Sequence, residues 1–236
     1  MTPAKSKPIL LVSILDPIGE EGIVRGALVL DRLNKTSITV CTAIANQNDV
    51  EIDNITWLSW EEIKRQLDAI GRRYKIGWAV ISGVSDLSIV NNIVSYLNLS
   101  LPGIKIIWSP AVDKDEAQQL NQQETELFFS LNQTAFLTVC TASILESMLP
   151  TYRQSISDLS TLNYNMLLLD TNSSVPSHHL FLSEKQALIL SNENAELPKM
   201  SHTIFLAALV AALSEEIEVR AACQKAFNVL KSYTIN

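Results

Sequence analysis

ILLVSILDPIGEEGI, residues 9–23, is a nearly continuous apolar run that breaks at Asp16-Pro17 and then restarts. The run from Ile9 to Leu15 reads as a strand buried on both faces, the pattern of a parallel sheet rather than of a sheet with one wet side. Asp16 to Ile23 reads as a turn that opens a helix. A buried strand feeding a helix is the first half of a β-α-β unit, and the rest of the chain repeats it.

Ile38 to Ile44, with its β-branched residues, reads as a second strand, adjacent and parallel to the first. Ser59 followed by Glu62 is a capping box, and Ile63, Leu67 and Ile70 then share one helical face. Ile76 to Ile81 gives a third strand. Asp86 caps a helix whose Leu87, Ile89, Val90, Ile93, Val94 and Leu97 form a wide apolar stripe. Ile104 to Trp108, Ala135 to Val139 and Met166 to Leu169 give further strands, with a polar helix from about Asp115 to Phe129 among them. His179 to Leu182 and Ala187 to Leu190 read as a hairpin around Glu184-Lys185. Two helices close the chain, from about His202 to Leu213 and from Ser214 or Glu215 to Ser232. The first is apolar nearly all round and belongs inside, packed on the sheet.

Composition bounds the function. The 236 residues carry 18 Lys and Arg against 25 Asp and Glu, a formal charge of −7, which disfavours a nucleic-acid backbone as partner. The longest apolar run, Ile204 to Leu213, is half a membrane span, and neither a membrane segment nor an export signal is read. Cys41, Cys140 and Cys223 stand far apart, as expected for reduced thiols in a cytoplasm. Average usage would give about sixteen glycines; there are seven, all within the first 103 residues. The remainder therefore lacks a glycine-rich phosphate cradle, in which backbone N–H groups approach the phosphate closely.

Ligands of such sheets sit beyond the carboxyl ends of the strands. The loops expected there are Asp16–Ile23, Asn46-Gln47-Asn48-Asp49, and the stretch from Gly77-Trp78 towards Ser82-Gly83. Gln47 offers amide donors and an acceptor, and Trp78 a stacking face for a small heterocycle, although turn geometry alone also accounts for these residues. Adjacent His178 and His179 would point to opposite faces of a strand, so no metal pair is expected. Glu20-Glu21 and Glu215-Glu216 read as charges at helix N-termini, and Cys140 as a buried thiol rather than a nucleophile.

The opening stretch resembles that of the hydroxymethylpyrimidine/phosphomethylpyrimidine kinases of thiamine synthesis, whose first strand runs into D-P-S-G-G-A-G-I. Thr42–Asn48, TAIANQN, resembles their T-A-L-V-A-Q-N, and Lys75-Ile76-Gly77-Trp78 their K-I-G-M. FLAALVAAL from Phe205, followed by AACQKAFNVLKSY, resembles their two closing helices. The likeness spans nearly the whole chain. It implies one ribokinase-like domain over residues 1–236: an α/β three-layer sandwich with a mostly parallel central sheet, helices on both faces, and often a homodimer. It further implies ATP-dependent phosphorylation of a small pyrimidine alcohol, with ATP and Mg²⁺, and a substrate site of Asp16, Gly22, Gln47, Gly77 and Trp78.

The phosphate half departs from the family pattern. The G-T-G-C segment aligns with Met200-Ser201-His202-Thr203, the N-x-x-E pair with Cys140 and Ser143, and K-G-G with Leu169-Asp170-Thr171. D-P-V-M becomes Ser109-Pro110-Ala111-Val112, and the acid of G-I-Q-A-D becomes Gly26. No catalytic residue and no metal ligand is assigned; His202, as a substitute base, and Thr203, as a helix cap, occupy the aligned position. Two readings follow: a kinase with a degenerate phosphate and Mg²⁺ site, or a non-catalytic small-ligand-binding or regulatory homologue. A third is a likeness of fold alone. Weak or absent binding of ATP-Mg²⁺ is expected.

Overall fold

A computed structural model describes residues 7–47, 52–111, 120–141, 144–145, 165–169, 177–182, 186–191 and 202–234. The chain opens with β1 (Ile9–Leu15), α1 (Gly22–Arg32), β2 (Ser37–Gln47), β3 (Ile52–Trp57), α2 (Trp60–Gly71) and β4 (Trp78–Ile81). There follow α3 (Leu87–Ser100), β5 (Lys105–Trp108), α4 (Gln122–Thr134), β6 (Leu137–Thr141), β7 (Met166–Leu169), β8 (Ser177–Leu182) and β9 (Gln186–Ser191). α5 (His202–Leu213) and α6 (Val219–Thr234) close it. Two compact units divide the chain, one of Met1–Gly83, Ser95–Lys105 and Leu197–Asn236, the other of Val84–Val94 and Ile106–Glu196.

In the first unit the strands lie in the order β3-β2-β1-β4. β1 runs parallel to β2, from Ile9 beside Ser37 to Leu15 beside Ile44, and parallel to β4, with Ile9 beside Trp78 and Val12 beside Ile81. The parallel pairing of the first two strands is thus as expected, and the reason is visible in their burial: Ile9, Leu10, Leu11 and Val12 have no face left to water. α1 packs on β1 and β2 and against α5, and α5 packs on α6 and β4. Every residue of α5 from Ile204 to Leu213 is buried, which is why its sequence shows no polar stripe. Phe205 meets Phe227 of α6 with ring centroids 4.7 Å apart.

β2 is longer than its apolar run. Beyond Ile44, where β1 ends as a partner, it is carried to Gln47 by antiparallel pairing with β3, from Ala43 opposite Trp57 to Gln47 opposite Ile52. Asn46 and Gln47 are therefore strand residues and not part of a loop, as the sequence reading had them; Asn48 and Asp49 lie outside the described residues. Before β3 begins to pair, the outer edge of β2 is met by a side chain. Gln66 of α2 accepts the Cys41 N–H through Oε1 and donates Nε2–H to the Cys41 carbonyl, both at 2.9 Å. An amide side chain has the donor and acceptor of a peptide unit, so it fills one step of the ladder.

The helix starts follow local chemistry. Ser59 and Glu62 form the expected reciprocal capping box of α2, and Asp86 accepts the N–H groups of Ser88 and Ile89 at the start of α3. The polar helix runs from Gln122 to Thr134, with a second capping box of Asn121 and Glu124 at its start, and Asp115 lies outside the described residues. α6 begins at Val219 rather than at Ser214 or Glu215. Ser214–Glu216 instead turn back on α5 through bonds to the Val210, Ala212 and Leu213 carbonyls. Glu215 accordingly is not a helix N-terminal charge but bridges Lys35 at 3.0 Å and Lys225 at 2.8 Å, and those ammonium groups, Lys225 first, hold its carboxyl below the usual range.

In the second unit β5, β6 and β7 are parallel neighbours, and β8 and β9 form the expected antiparallel hairpin beside β7. Trp108 packs on Phe128 of α4 with ring centroids 5.1 Å apart. Among the described residues no helix is long and apolar enough to cross a membrane.

Candidate functional site

The loop after β1 is organised by one buried carboxylate. Asp16 is 1% exposed; its Oδ1 accepts the Ile18 N–H at 3.0 Å, and its Oδ2 accepts those of Glu20 at 2.8 Å and Glu21 at 3.0 Å. A short acidic side chain is suited to this because it reaches amides two to five residues ahead without leaving its own turn. Asp16 thus faces its own loop and shapes it. The sequence reading had it facing substrate.

Gly22 closes the loop and opens α1. It pairs with Leu15 in an isolated antiparallel bridge and has φ +65°, and a Cβ there would lie 2.2 Å from the Ile14 carbonyl oxygen. Its N–H donates to Thr203 Oγ1 of α5 at 3.2 Å, and the Thr203 hydroxyl donates to the Glu21 carboxylate. Thr203 therefore does not cap α5, as expected of it, but ties α5 to the first loop. Glu21 sits at the N-cap position of α1, a charge at a helix N-terminus as expected, but it makes no side-chain cap bond and its carboxylate accepts from Thr203. Gly26, one turn on, lets α1 approach β1 and α5: a Cβ there would meet Leu11 at 3.0 Å and Thr203 at 3.5 Å.

Beside this junction Ser82, just after β4, donates to Ser13 Oγ at 3.1 Å, and its own N–H bonds the Val12 carbonyl. Ser13, Gly22, Gly26, Ser82, Thr203 and the flanking aliphatic residues enclose a cleft of about 10 Å³, the room of one water molecule. Ser82 lies in a stretch expected at the carboxyl ends of the strands, although no role was assigned to it, and Ser13 was not singled out from the sequence. The available signal was a hydroxyl interrupting the apolar run of β1 and another standing directly after β4.

Gly77 and Trp78 do not belong to this site. Trp78 is the first residue of β4 and lies beside Ile9, the first residue of β1, so it stands at the opposite end of the strands from Asp16. There the Lys105 ammonium lies 5.1 Å from the centre of the Trp78 ring, and the Lys105 N–H bonds the Gly77 carbonyl. The glycine that does follow β4 is Gly83, at the carboxyl end, where a Cβ would stand 2.8 Å from Ser13 Oγ. The backbone of Gln47 ends β2, three residues beyond the last partner of β1.

His202 makes a poor proton acceptor. Burial pushes its imidazole down to about 4, whereas a general base works best with a pKa near the operating pH. The same shift gives a stability prediction. The unfolded imidazole charges as the pH falls below about 6.5 while the folded one stays neutral to about 4, so stability is lost across that interval by on the order of 3 kcal/mol. Denaturant titrations of wild type and His202→Gln from pH 7 to pH 4 test this; the variant's profile should be flatter, and parallel profiles would refute it.

Of the two residues aligned with the Mg²⁺ pair, only Cys140 lies among the described residues. Cys140 lies in β6, fully buried, with its thiol pushed up to about 12 by desolvation, whereas Mg²⁺ is held by hard oxygen ligands. Cys140 is thus the buried thiol expected of it. Leu169 and Ser109 are likewise buried; Val112, Ser143, Asp170, Thr171, Met200 and Ser201 lie outside the described residues. Among the described residues no three His, Cys, Asp or Glu side chains gather as a metal site. Buried His178 lies in β8.

A parallel sheet whose first loop folds back onto its strand and meets the start of an apolar closing helix defines an α/β protein of the ribokinase-like fold. Solved structures place the chain beside the vitamin kinases of that fold. It superimposes on the phosphomethylpyrimidine kinase of Clostridium difficile 630 with a TM-score of 0.73 and 17% identity, over 97% of this chain and 99% of the other. For the pyridoxal kinase of Staphylococcus aureus in complex with pyridoxal the TM-score is 0.81, with 13% identity over 97% and 88% of the two chains. An ADP complex of Bacillus subtilis pyridoxal kinase gives 0.76 and 15% over 94% and 90%. At these identities the likeness is one of fold. No protein-family model and no curated protein matches the sequence.

Proposed function

We propose that the chain is a ribokinase-fold relative of the vitamin kinases that binds a small pyrimidine-like heterocycle and transfers phosphoryl groups weakly or not at all. The observation that carries this is the state of Thr203. It stands where the resemblance puts the catalytic residue, and its hydroxyl is engaged on both sides, accepting from Gly22 and donating to Glu21. Phosphoryl transfer depends almost wholly on positioning and charge neutralisation, and the aligned positions offer a hydroxyl tied to a carboxylate, a neutral imidazole and a buried thiol in their place. In this reading Gln47, at the end of β2, supplies the amide that reads the ring. The room of about 10 Å³ beside Thr203 is too small for a ring, which in this reading lies over the strand ends, outside the closed first loop. The vitamin-kinase neighbours equally support an active kinase, so the test must separate the two.

Thermal shift and calorimetry on the full chain, with hydroxymethylpyrimidine, pyridoxal and ATP-Mg²⁺ in turn, provide that test. Stabilisation by a heterocycle that grows with the logarithm of its concentration is expected, together with no response to ATP-Mg²⁺. Turnover in the ordinary kinase range of about 1–100 per second would overturn the proposal; so would the absence of any heterocycle response.

A further inference from the structure

We propose that Glu21 sets the charge preference of the cleft and shuts out phosphoryl-bearing ligands. The inference deepens the binding reading above and rests on it. Its basis is the direction of two hydrogen bonds. Thr203 Oγ1 accepts the Gly22 N–H, so the single hydroxyl proton goes to the Glu21 carboxylate, an acceptor-only group when ionised. The contact therefore holds the Glu21 carboxylate at the edge of the cleft.

The α1 N-terminus, at which Glu21 is the N-cap residue, offsets only part of a full negative charge. Among the described residues no Lys or Arg forms an ion pair with Glu21. The closest cation along the chain, Arg25, donates its Nε–H to the Glu20 backbone carbonyl at 3.2 Å. The residues lining the cleft are aliphatic, glycine or hydroxyl-bearing, with no formal charge among them. Asp16, on the same loop, is a second carboxylate whose described partners are backbone amides. A phosphate entering beside Thr203 would meet like charge from the half-buried Glu21, a repulsion that salt screens. A neutral heterocycle meets no such repulsion.

Inorganic pyrophosphate, without Mg²⁺ and at low salt, is the probe. Calorimetry on the full chain compares wild type with Glu21→Gln, which keeps an acceptor for Thr203 and removes the charge. Pyrophosphate affinity should rise about tenfold or more, and the gain should shrink as salt is added. Glu20→Gln, at an exposed position, should gain less. Thr203→Val, which frees the loop and keeps the charge, should not gain. Glu21→Ala replaces Glu21→Gln should the latter fail to unfold cooperatively. An unchanged affinity in the Glu21 variants, or an equal gain in Glu20→Gln or Thr203→Val, would overturn the proposal. Failure of every heterocycle to stabilise the wild type would instead remove the binding reading and leave the pyrophosphate comparison standing.

Discussion

Replacing Gly22 by alanine is expected to destabilise the protein by on the order of 4 kcal/mol. Two costs fall on the same atom. The backbone at φ +65° is one that a Cβ resists, and the added carbon would stand 2.2 Å from the Ile14 carbonyl oxygen. That oxygen belongs to β1, in the middle of the sheet, and cannot rotate away as a side chain could. The Gly22 N–H would also be pulled from Thr203, loosening the loop from α5. Urea denaturation gives the measurement. Gly71→Ala is the control, since nothing lies within 4 Å of a Cβ there, and it should be neutral or stabilising by about 0.5 kcal/mol. A Gly22→Ala midpoint within error of wild type would mean that the loop does not fold back on β1 as described.

Asp16→Ala should cost nearly as much, about 3–4 kcal/mol, because three amide N–H groups lose their acceptor in a part-buried loop and each orphaned donor costs roughly 1–3 kcal/mol, with some relaxation. Asp16→Asn is the sharper variant. Its amide oxygen can serve either Ile18 or the pair Glu20 and Glu21, but its NH₂ group must then face at least one backbone donor. An intermediate loss of about 2 kcal/mol is expected for an asparagine of almost unchanged shape. Denaturant midpoints for the two variants separate the cases, and an asparagine variant as stable as wild type would place the carboxylate elsewhere.

The parallel pair β1 and β2 was legible because burial on both faces leaves a continuous apolar run, and the start of α2 because a capping box is local chemistry. What escaped was set by pairing partners rather than by the local pattern. β3 carries Asp53, Asn54 and Thr56 and does not read as an apolar strand; its pairing with β2 makes it one. The same pairing drew Gln47 out of a loop and into a strand. Trp78 entered the expected site through the likeness of Lys75-Ile76-Gly77-Trp78 to K-I-G-M, whereas here it starts the strand and the stretch after the strand is Ser82-Gly83. Glu21 and Thr203 meet across 182 positions, and no pattern near either residue announces the other. Glu21 reads equally well as a charge at the start of α1, which is how its sequence context presents it.

The amide of Gln66 on the edge of β2 bears on how the protein behaves at high concentration. A strand edge with unpaired N–H and C=O groups invites another chain to add on, and many proteins blunt such edges to stay apart. Here the position at Cys41 is already taken by a side chain that brings one donor and one acceptor and then stops, since α2 carries it away from the sheet. An incoming strand aligned on residues 37–41 would have to expel that amide before its first hydrogen bond could form. The chain thus ends its own ladder from within, with α2 packed on β2 and its glutamine filling the step at Cys41.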